Sequence, residues 1–169
     1  MEASPDVGSA AASLADHDQQ AQEIIKKYTY WATGLGIIPV PLVDIAAVTG
    51  VQLKMMAALG HLYGQEFSQS WGKSILGSLV GGLGATELAY GTLGSMLKAI
   101  PGIGTLFGMV AMPIMAGAMT YAVGKVFQTH FASGGTMLNF DAEGMRKYYE
   151  QHLRDGIKAA ENARASSNS

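Results

Sequence analysis

The chain contains no cysteine, and its four histidines are scattered. The absence of cysteine excludes disulfides, thiolate nucleophiles and cysteine-based metal sites, and it fits a reducing compartment. No two histidines stand four residues apart, so neither a zinc site nor a histidine relay is indicated. The histidines are His17, His61, His130 and His152. We therefore expect no catalytic residues, no metal and no cofactor, and we predict that the protein is not an enzyme.

Charge is also scarce. Charged residues make up 14% of the 169 residues, and the net charge is −2. A nucleic-acid partner requires a clustered basic face that neutralises phosphates. Toward the C-terminus, where basic residues are most frequent, acidic residues alternate with them along the chain. No nucleic-acid partner is therefore expected.

The N-terminal residues lack the features of a signal peptide. Residues 1–20 contain neither a basic n-region nor an apolar core. Their alanine, serine, aspartate and glutamine content predicts a disordered tail over 1–17. Any insertion into a membrane would then use internal segments.

A long uncharged run dominates the second half of the chain. It extends from Ala99 to Gly124 and is closed on each side by a lysine. As a helix it spans roughly 39 Å, more than the roughly 30 Å of the hydrocarbon core of a bilayer. The preceding segment, Ser74 to Leu97, carries a single charge, Glu87. Together they predict two membrane-embedded apolar helices that meet at a turn containing Pro101 and Gly102.

Periodicity and helix breakers predict an all-α protein. Apolar residues spaced three or four apart predict a first helix from about Asp18 to Gly36. Pro39 and Pro41 interrupt it, because proline lacks an amide hydrogen and constrains the residue before it. A second helix then runs to Tyr63, and further helices follow. The predicted units are a membrane domain of two helical hairpins over 18–131, a flexible joint over 132–140, an amphipathic cytoplasmic helix over 141–162 and a disordered tail over 163–169.

Small residues recur at four-residue spacing along the apolar helices. Such stripes allow two helix backbones to approach closely in a membrane. They indicate packing between the arms of one hairpin, an oligomer interface or, in a third interpretation, the lining of a pore. The positions are Gly77, Gly81, Ala85, Ala89, Gly104 and Gly108.

Two acidic residues interrupt the apolar segments. Asp44 follows Pro41 within the first turn of the second helix, where a carboxylate stabilises the positive end of the helix dipole. Glu87 lies near the middle of a glycine-rich apolar helix, so it either meets a partner inside the bundle or faces the headgroup region. An acid within a membrane is a candidate functional residue, and both positions are candidates for an intramembrane charge.

The combination of these features is similar to a known family. The residues that carry the resemblance are Trp31-Ala32, Pro39, Pro41, Asp44, Gln52-Leu53-Lys54-Met55, Leu62-Tyr63-Gly64, Phe67-Ser68, Gly81-Gly82 and Ile100-Pro101-Gly102-Ile103-Gly104. Over about residues 20–131 the chain resembles the bacterial domain of unknown function found in the YcjF inner-membrane protein. The resemblance implies a helical, membrane-associated domain that is sometimes joined to, or encoded beside, a GTPase-like or other NTPase domain. An NTPase partner of this chain would be a separate protein.

We therefore predict a non-enzymatic bacterial inner-membrane protein that acts as an oligomeric scaffold or adaptor. One alternative is a channel or pore component, suggested by Glu87 and the glycine stripes. Another is a soluble helical oligomer that associates peripherally with membranes, suggested by the mean hydropathy of +0.18. Lys26 and Lys27 precede the first apolar segment and Lys125 follows the last, which predicts that both termini are cytoplasmic. The expected partners are the lipid bilayer, a second copy of the chain and a separate NTPase.

Overall fold

The computed structural model describes the backbone of residues 7–35, 43–90 and 107–167, and the side chains of residues 12–35, 46–81 and 113–159. These residues form helices and no strands, so the predicted all-α class is confirmed for the part described. The helices are α1 (Val7–Leu35), α2 (Val43–Leu62), α3 (Gln69–Tyr90), α4 (Phe107–Ala132) and α5 (Arg146–Ser167).

Helix α4 is the centre of the fold. It packs against α1, α2 and α5, whereas α3 lies at the periphery and contacts α2 and α5. The side chains of Val123, Val126 and Phe127 on α4 are fully buried, as are those of Met55 and Met56 on α2. Burying apolar surface of this kind is the dominant favourable contribution to folding. The core is therefore built around α4.

Contacts along α4 establish the direction of its neighbours. On α1, Thr33 lies beside Gly117 while Ile25 lies beside Gly124, so α1 runs antiparallel to α4. Helix α5 also runs antiparallel to α4, because Tyr148 contacts Thr129 and Gly156 lies beside Ala118.

Helix α2 runs in the same direction as α4. Gln52 contacts Thr120, and further along Tyr63 packs on Phe131. It follows that α1 ends, and α2 and α4 begin, at the same end of the bundle, which we call the lower end. The upper end is the opposite one, where α4 finishes at Ala132. Two uncharged stretches of sequence, residues 32–43 and 99–124, adjoin or include the helix termini at the lower end.

The predicted membrane-spanning helices are not supported. Within the described ranges, no helix combines the length and the apolar character needed to cross a bilayer. The described part of the run from Ala99 to Gly124 lies in α4, where Ala118, Ala122 and Val123 are buried within the protein. An apolar helix is equally suited to the centre of a bundle and to lipid, and hydropathy alone does not distinguish the two.

The predicted hairpin of α3 and α4 turns at Pro101, which lies outside the described residues. In the part described, α4 packs chiefly on α1 and α5. Three helix boundaries also differ from the prediction. Helix α1 begins at Val7 rather than near Asp18, and α5 begins at Arg146 and continues to Ser167. Alanine-rich segments, which favour helices, account for the two extensions.

A turn held by several contacts joins α4 to α5, in the segment where the sequence predicts a flexible joint. Gly134 adopts a φ of 80°, the left-handed conformation that commonly ends a helix at glycine. Its amide donates to the carbonyl of Phe131 at 2.9 Å. Phe140 stacks on Phe127 with ring centroids 4.8 Å apart, and His130 bonds the Thr136 carbonyl at 2.9 Å. These contacts fix α5 against α4, and its apolar face is buried at Tyr149, Leu153 and Ile157.

Candidate functional site

An open groove on the described surface lies above α4. Helices α1 and α5 both pack on α4 but scarcely on each other, so one face of α4 is left between them. The volume of the groove is about 810 Å³, within the range of about 300–1,000 Å³ typical of small-molecule sites. Its floor consists of Ile114, Gly117, Ala118, Tyr121 and Lys125.

The two walls make the groove polar at one end and uncharged at the other. Toward the upper end α1 contributes Gln19, Gln22, Glu23 and Lys26, and α5 contributes Asp155. Toward the lower end α1 contributes Thr29, Tyr30 and Thr33, and α5 contributes Gly156 and Ala159. The charged lining residues Glu23, Lys26 and Lys125 lie in the upper half, and Asp155 lies at its boundary with the lower half, next to Gly156.

The lower half of the groove depends on a close approach of α1 to α4. A Cβ atom on Gly117 would collide with the hydroxyl of Thr33, so a larger residue there would require the Thr33 side chain to move. The Thr33 hydroxyl donates to the backbone carbonyl of Thr29 at 2.9 Å. The hydroxyl of Thr29 is itself buried and has no hydrogen-bond partner among the described residues. A buried hydroxyl without a partner is unusual, and it leaves a donor and an acceptor unused at the groove.

The upper half is joined to a polar network. The Lys125 ammonium donates to the side-chain carbonyl of Gln128 at 2.8 Å. The Gln128 amide in turn donates to the carboxylate of Asp18. Glu23 and Lys26 form no ion pair within the described part of the chain. Both signs of charge are therefore present and partly unpaired around this end of the groove.

A histidine and two tyrosines lie beside the groove at the contact between α4 and α5. The His152 ring meets the Tyr148 ring edge-on at 4.4 Å and the Tyr121 ring at 6.1 Å. Its Nδ1 atom is buried without a hydrogen-bond partner, and 4.0 Å separates it from an Asp155 oxygen. Burial lowers the pKa of His152, nearby Lys125 lowers it further, and Asp155 opposes both. This histidine is therefore favoured in its neutral form.

The same environment acts on Tyr121. Burial raises the pKa of its hydroxyl, and the charge of Asp155 raises it further. The residues described contain no group of three or more histidine, aspartate or glutamate side chains placed to hold a metal ion.

Two aromatic side chains project from α1 near the lower end. Tyr30 is 67% exposed and Trp31 is 62% exposed. Lys26 and Lys27 lie one turn earlier on the same helix, and both are exposed. Adjacent large aromatic residues with this exposure bury little of their apolar surface within the chain, although burial of such surface is favourable. The second tryptophan, Trp71, lies in the first turn of α3, and 47% of its surface is exposed.

The structure describes only part of the site predicted from sequence. Gly77 and Gly81 are exposed on α3, and a Cβ atom added at either would meet nothing within 4 Å. The remaining positions lie outside the residues whose side chains are described. They are Asp44, Ala85, Glu87, Ala89, Gly104, Gly108, Pro39, Pro41, Pro101 and Gly102.

Sequence reasoning missed the groove, although α1 carried a signal for it. Polar residues recur at helical spacing along one face, at Gln19, Gln22, Lys26, Thr29 and Thr33. The opposite wall of the groove, on α5, includes Asp155 and Gly156. These residues are far from α1 in the sequence, and they face α1 only across α4.

Comparison with known proteins gives two matches. A family model described as Domain of unknown function (DUF697) matches residues 7–156, from the start of α1 into α5. The chain is 40% identical over 162 residues to Magnetosome membrane protein 22 of Magnetospirillum gryphiswaldense. That alignment covers 96% of this chain and 83% of the relative. No solved structure matches the chain.

Proposed function

This chain belongs to the family of domains of unknown function DUF697, and from that membership we propose that it is a non-enzymatic, membrane-associated protein. Its relative of 40% identity is named as a magnetosome membrane protein, which supports a role at a membrane. We further propose that the lower end of the bundle contacts the bilayer surface. In a bacterium, that bilayer would be the inner membrane or a membrane derived from it.

The observation that carries the proposal is the exposed pair Tyr30 and Trp31. Tyrosine and tryptophan are enriched where a bilayer meets water, because the ring is amphipathic and its polar atom stays hydrated. Lys27, exposed on the same helix one turn before Trp31, would attract anionic lipid headgroups by about 1 kcal/mol at the surface. The uncharged residues 32–43 follow directly in sequence. Aromatic, basic and uncharged residues therefore follow one another in the sequence as α1 approaches the lower end.

A flotation experiment tests this contact. The purified chain is mixed with vesicles of phosphatidylethanolamine and phosphatidylglycerol and centrifuged through a density gradient. The intact chain should float with the vesicles, and the double variant Tyr30→Ser with Trp31→Ser should remain mostly at the bottom. The matched variant Trp71→Ser removes an exposed tryptophan from α3 and should float like the intact chain. Equal flotation of all three proteins would contradict the proposed contact.

The scaffold part of the proposal concerns self-association through α3. This helix is the most peripheral of the helices that the structure describes, and Trp71, Gly77 and Gly81 are all exposed on it. Helices with small residues at such positions can approach one another closely. A second copy packed on α3 would bury the surface that the single chain leaves open.

The mass of the protein in solution and in mild detergent tests self-association. Replacing Gly81 with leucine should reduce the oligomeric mass, because the larger side chain would separate the two backbones. The change Leu83→Ile keeps side-chain volume and should leave the mass unchanged. A Gly81→Leu protein with the mass and the thermal stability of the intact chain would exclude this face as the contact.

A further inference from the structure

We infer that α5 is a releasable helix, which leaves α4 more readily in acid than at neutral pH and then binds an anionic bilayer through its apolar face. The inference rests on the proposed role at a membrane. It deepens that role by assigning a second, pH-dependent contact with lipid, separate from the one at the lower end of the bundle.

Unpartnered buried polar atoms are concentrated on α5. Among the described residues, four buried side-chain polar atoms have no hydrogen-bond partner, and three of them belong to this helix. They are Nε of Arg146, the hydroxyl of Tyr149 and Nδ1 of His152. A buried polar atom without a partner is unfavourable, because it has lost its hydrogen bonds with water. Release of α5 would restore these hydrogen bonds.

Few polar contacts join α5 to the rest of the bundle. Among the described side chains, one hydrogen bond links it to another helix, between the hydroxyls of Tyr148 and Thr129 at 2.8 Å. The ion pair of Arg154 and Glu150, at 3.7 Å, lies within α5 and spans one turn. Such a pair stabilises the helix whether it is docked or free. Helix α5 can therefore leave α4 as a helix and lose few polar contacts.

The contact between α4 and α5 is polar along one edge. Tyr121, Lys125 and Thr129 follow one another at four-residue spacing on α4. They lie beside His152 and Tyr148 of α5. Release would expose this partly polar strip to water, which is less unfavourable than exposing a continuous apolar face.

His152 makes the release depend on pH. Burial and nearby Lys125 lower the pKa of His152 in the docked helix. In the released helix the pKa returns toward the ordinary value of about 6.5. The released form then binds a proton more readily, so acid favours release, whereas at pH 7.5 the ring is neutral in both forms. Asp155 lies 4.0 Å from Nδ1 with its side chain 54% exposed, so water weakens its attraction for a protonated ring.

The other titratable groups near His152 do not oppose this effect. Burial raises the pKa of Tyr121, which stays neutral in acid. Helix α3 also contacts α5, and its described charged residue, Lys73, is exposed. The titratable and charged groups around the ring are therefore Tyr121 and Lys125 of α4 and Tyr148 and Asp155 of α5.

The turn before α5 supplies a pivot. Phe140 stacks on Phe127 of α4 and anchors this turn. Gly144 is exposed and stands between that anchor and Arg146, the first residue of α5. Glycine adopts a wider range of backbone conformations than other residues. Helix α5 can therefore move from this point while the anchored turn stays in place.

The composition of α5 favours an anionic bilayer as the partner of its apolar face. Tyr149, Leu153 and Ile157 recur at four-residue spacing and form that face. Helix α5 contains five basic and three acidic residues, whereas the net charge of the whole chain is −2. A basic amphipathic helix lies in the plane of a bilayer interface and is attracted by anionic headgroups. Protonation of His152 adds another positive charge.

Hydrogen exchange of the intact chain, without vesicles, tests the release. After correction for the intrinsic effect of pH, protection of the α5 amides should be lower than that of α2 and α4. Between pH 7.5 and 5.5 it should fall several-fold further, up to about tenfold, the limit for one group of pKa about 6.5. His152→Gln should abolish this fall, and His61→Gln, at an exposed position, should retain it. Equal protection in α5 and α4, or a fall shared by all helices, would overturn the inference.

A disulfide that holds α5 on α4 tests the contact with lipid. A Cβ atom at Gly156 would lie 3.2 Å from the Ala118 Cβ atom, close to the roughly 3.5–4.5 Å of a disulfide. The chain has no cysteine of its own. We combine Ala118→Cys and Gly156→Cys with Tyr30→Ser and Trp31→Ser, which remove the contact at the lower end.

This protein should float with vesicles of phosphatidylethanolamine and phosphatidylglycerol at pH 5.5 when reduced, but not when oxidised. Equal flotation of the two forms would contradict the release of α5 onto lipid. The contact at the lower end is judged separately, from flotation of the intact chain at pH 7.5, so either idea can fail alone.

A charge reversal tests the same contact without a disulfide. In the Tyr30→Ser, Trp31→Ser protein, Lys158→Glu should lower partition into these vesicles at pH 5.5 at least about fivefold, because each basic residue near the surface contributes to binding. Lys54→Glu makes the same change at an exposed position on α2 and should bind normally. Equal losses in the two variants would show that only the net charge of the chain matters, and would exclude α5 as the contact.

Discussion

Ile25 of α1 packs so closely on Gly124 of α4 that a Cβ atom at Gly124 would lie 2.8 Å from the Ile25 Cγ1 atom. The Met55 sulfur of α2 would be 3.1 Å from the same position. Three helices therefore meet at this glycine. Because glycine has no side chain, α1 approaches the backbone of α4 closely there. The contact also determines how deep the groove is, because it brings α1 down against α4.

Replacing Gly124 with alanine should destabilise the protein. Overpacking a core costs about 1–3 kcal/mol, and alanine regains up to about 1 kcal/mol through helix propensity. We expect a net loss of about 1 kcal/mol in urea denaturation. Gly50→Ala on α2 is the control, since nothing lies within 4 Å of the added methyl group, and it should not lower stability. Gly124→Ala as stable as the intact chain would show that α1 can shift away from α4.

The free energy of unfolding should decrease as the pH is lowered, because of His152. Its pKa is below the ordinary 6.5 in the folded protein, chiefly through burial. The unfolded chain then binds a proton more readily, so acidification below about 6.5 shifts the equilibrium toward unfolding. At pH 7.5 this histidine is neutral in both states and causes no loss. The urea midpoint of the intact chain should therefore drop more between pH 7.5 and 5.5 than that of His152→Gln.

His61→Gln, at an exposed position, is the control for this comparison and should retain the pH dependence of the intact chain. The pKa of His152 can also be read directly by NMR titration. A value at or above 6.5 would contradict the environment of the His152 ring, in which burial and nearby Lys125 disfavour the charged form.

Two adjacent tyrosines should respond oppositely to the loss of their hydroxyls. Tyr149 is fully buried, its hydroxyl has no hydrogen-bond partner in the described structure, and burial raises its pKa. The Tyr148 hydroxyl contacts the Thr129 hydroxyl at 2.8 Å. An unsatisfied buried hydroxyl costs about 1–3 kcal/mol, and a satisfied hydrogen bond contributes about 0.5–1.5 kcal/mol. Tyr149→Phe should therefore be stabilising, and Tyr148→Phe destabilising, in urea denaturation. A destabilised Tyr149→Phe would imply a partner for its hydroxyl.

Much of the helix content could be predicted from the sequence. The apolar stripes of α1 and α5 that the spacing indicated are buried, at Ala21, Ile25 and Ala32 on α1 and at Tyr149 and Leu153 on α5. Local spacing determines such faces, because residues three or four apart share one side of a helix.

The environment of the apolar helices could not be predicted in the same way. Val123 and Phe127 would favour lipid or protein equally, and only the arrangement of α1, α2 and α5 around α4 buries them. The groove was missed for a related reason. Thr29 and Ala159 lie far apart in sequence, and they line one cavity only because both helices run antiparallel to α4.

Quenching of tryptophan fluorescence by brominated lipids tests the central claim most directly. The Trp71→Phe variant retains Trp31 as its only tryptophan, and Trp31→Phe retains only Trp71. With vesicles containing phospholipids brominated on the acyl chains near the headgroup, Trp31 should be strongly quenched and shifted to shorter wavelength. Trp71 should be quenched little, because it lies near the other end of the bundle. An unquenched Trp31, or equal quenching of the two residues, would contradict the proposed contact of the lower end with the bilayer.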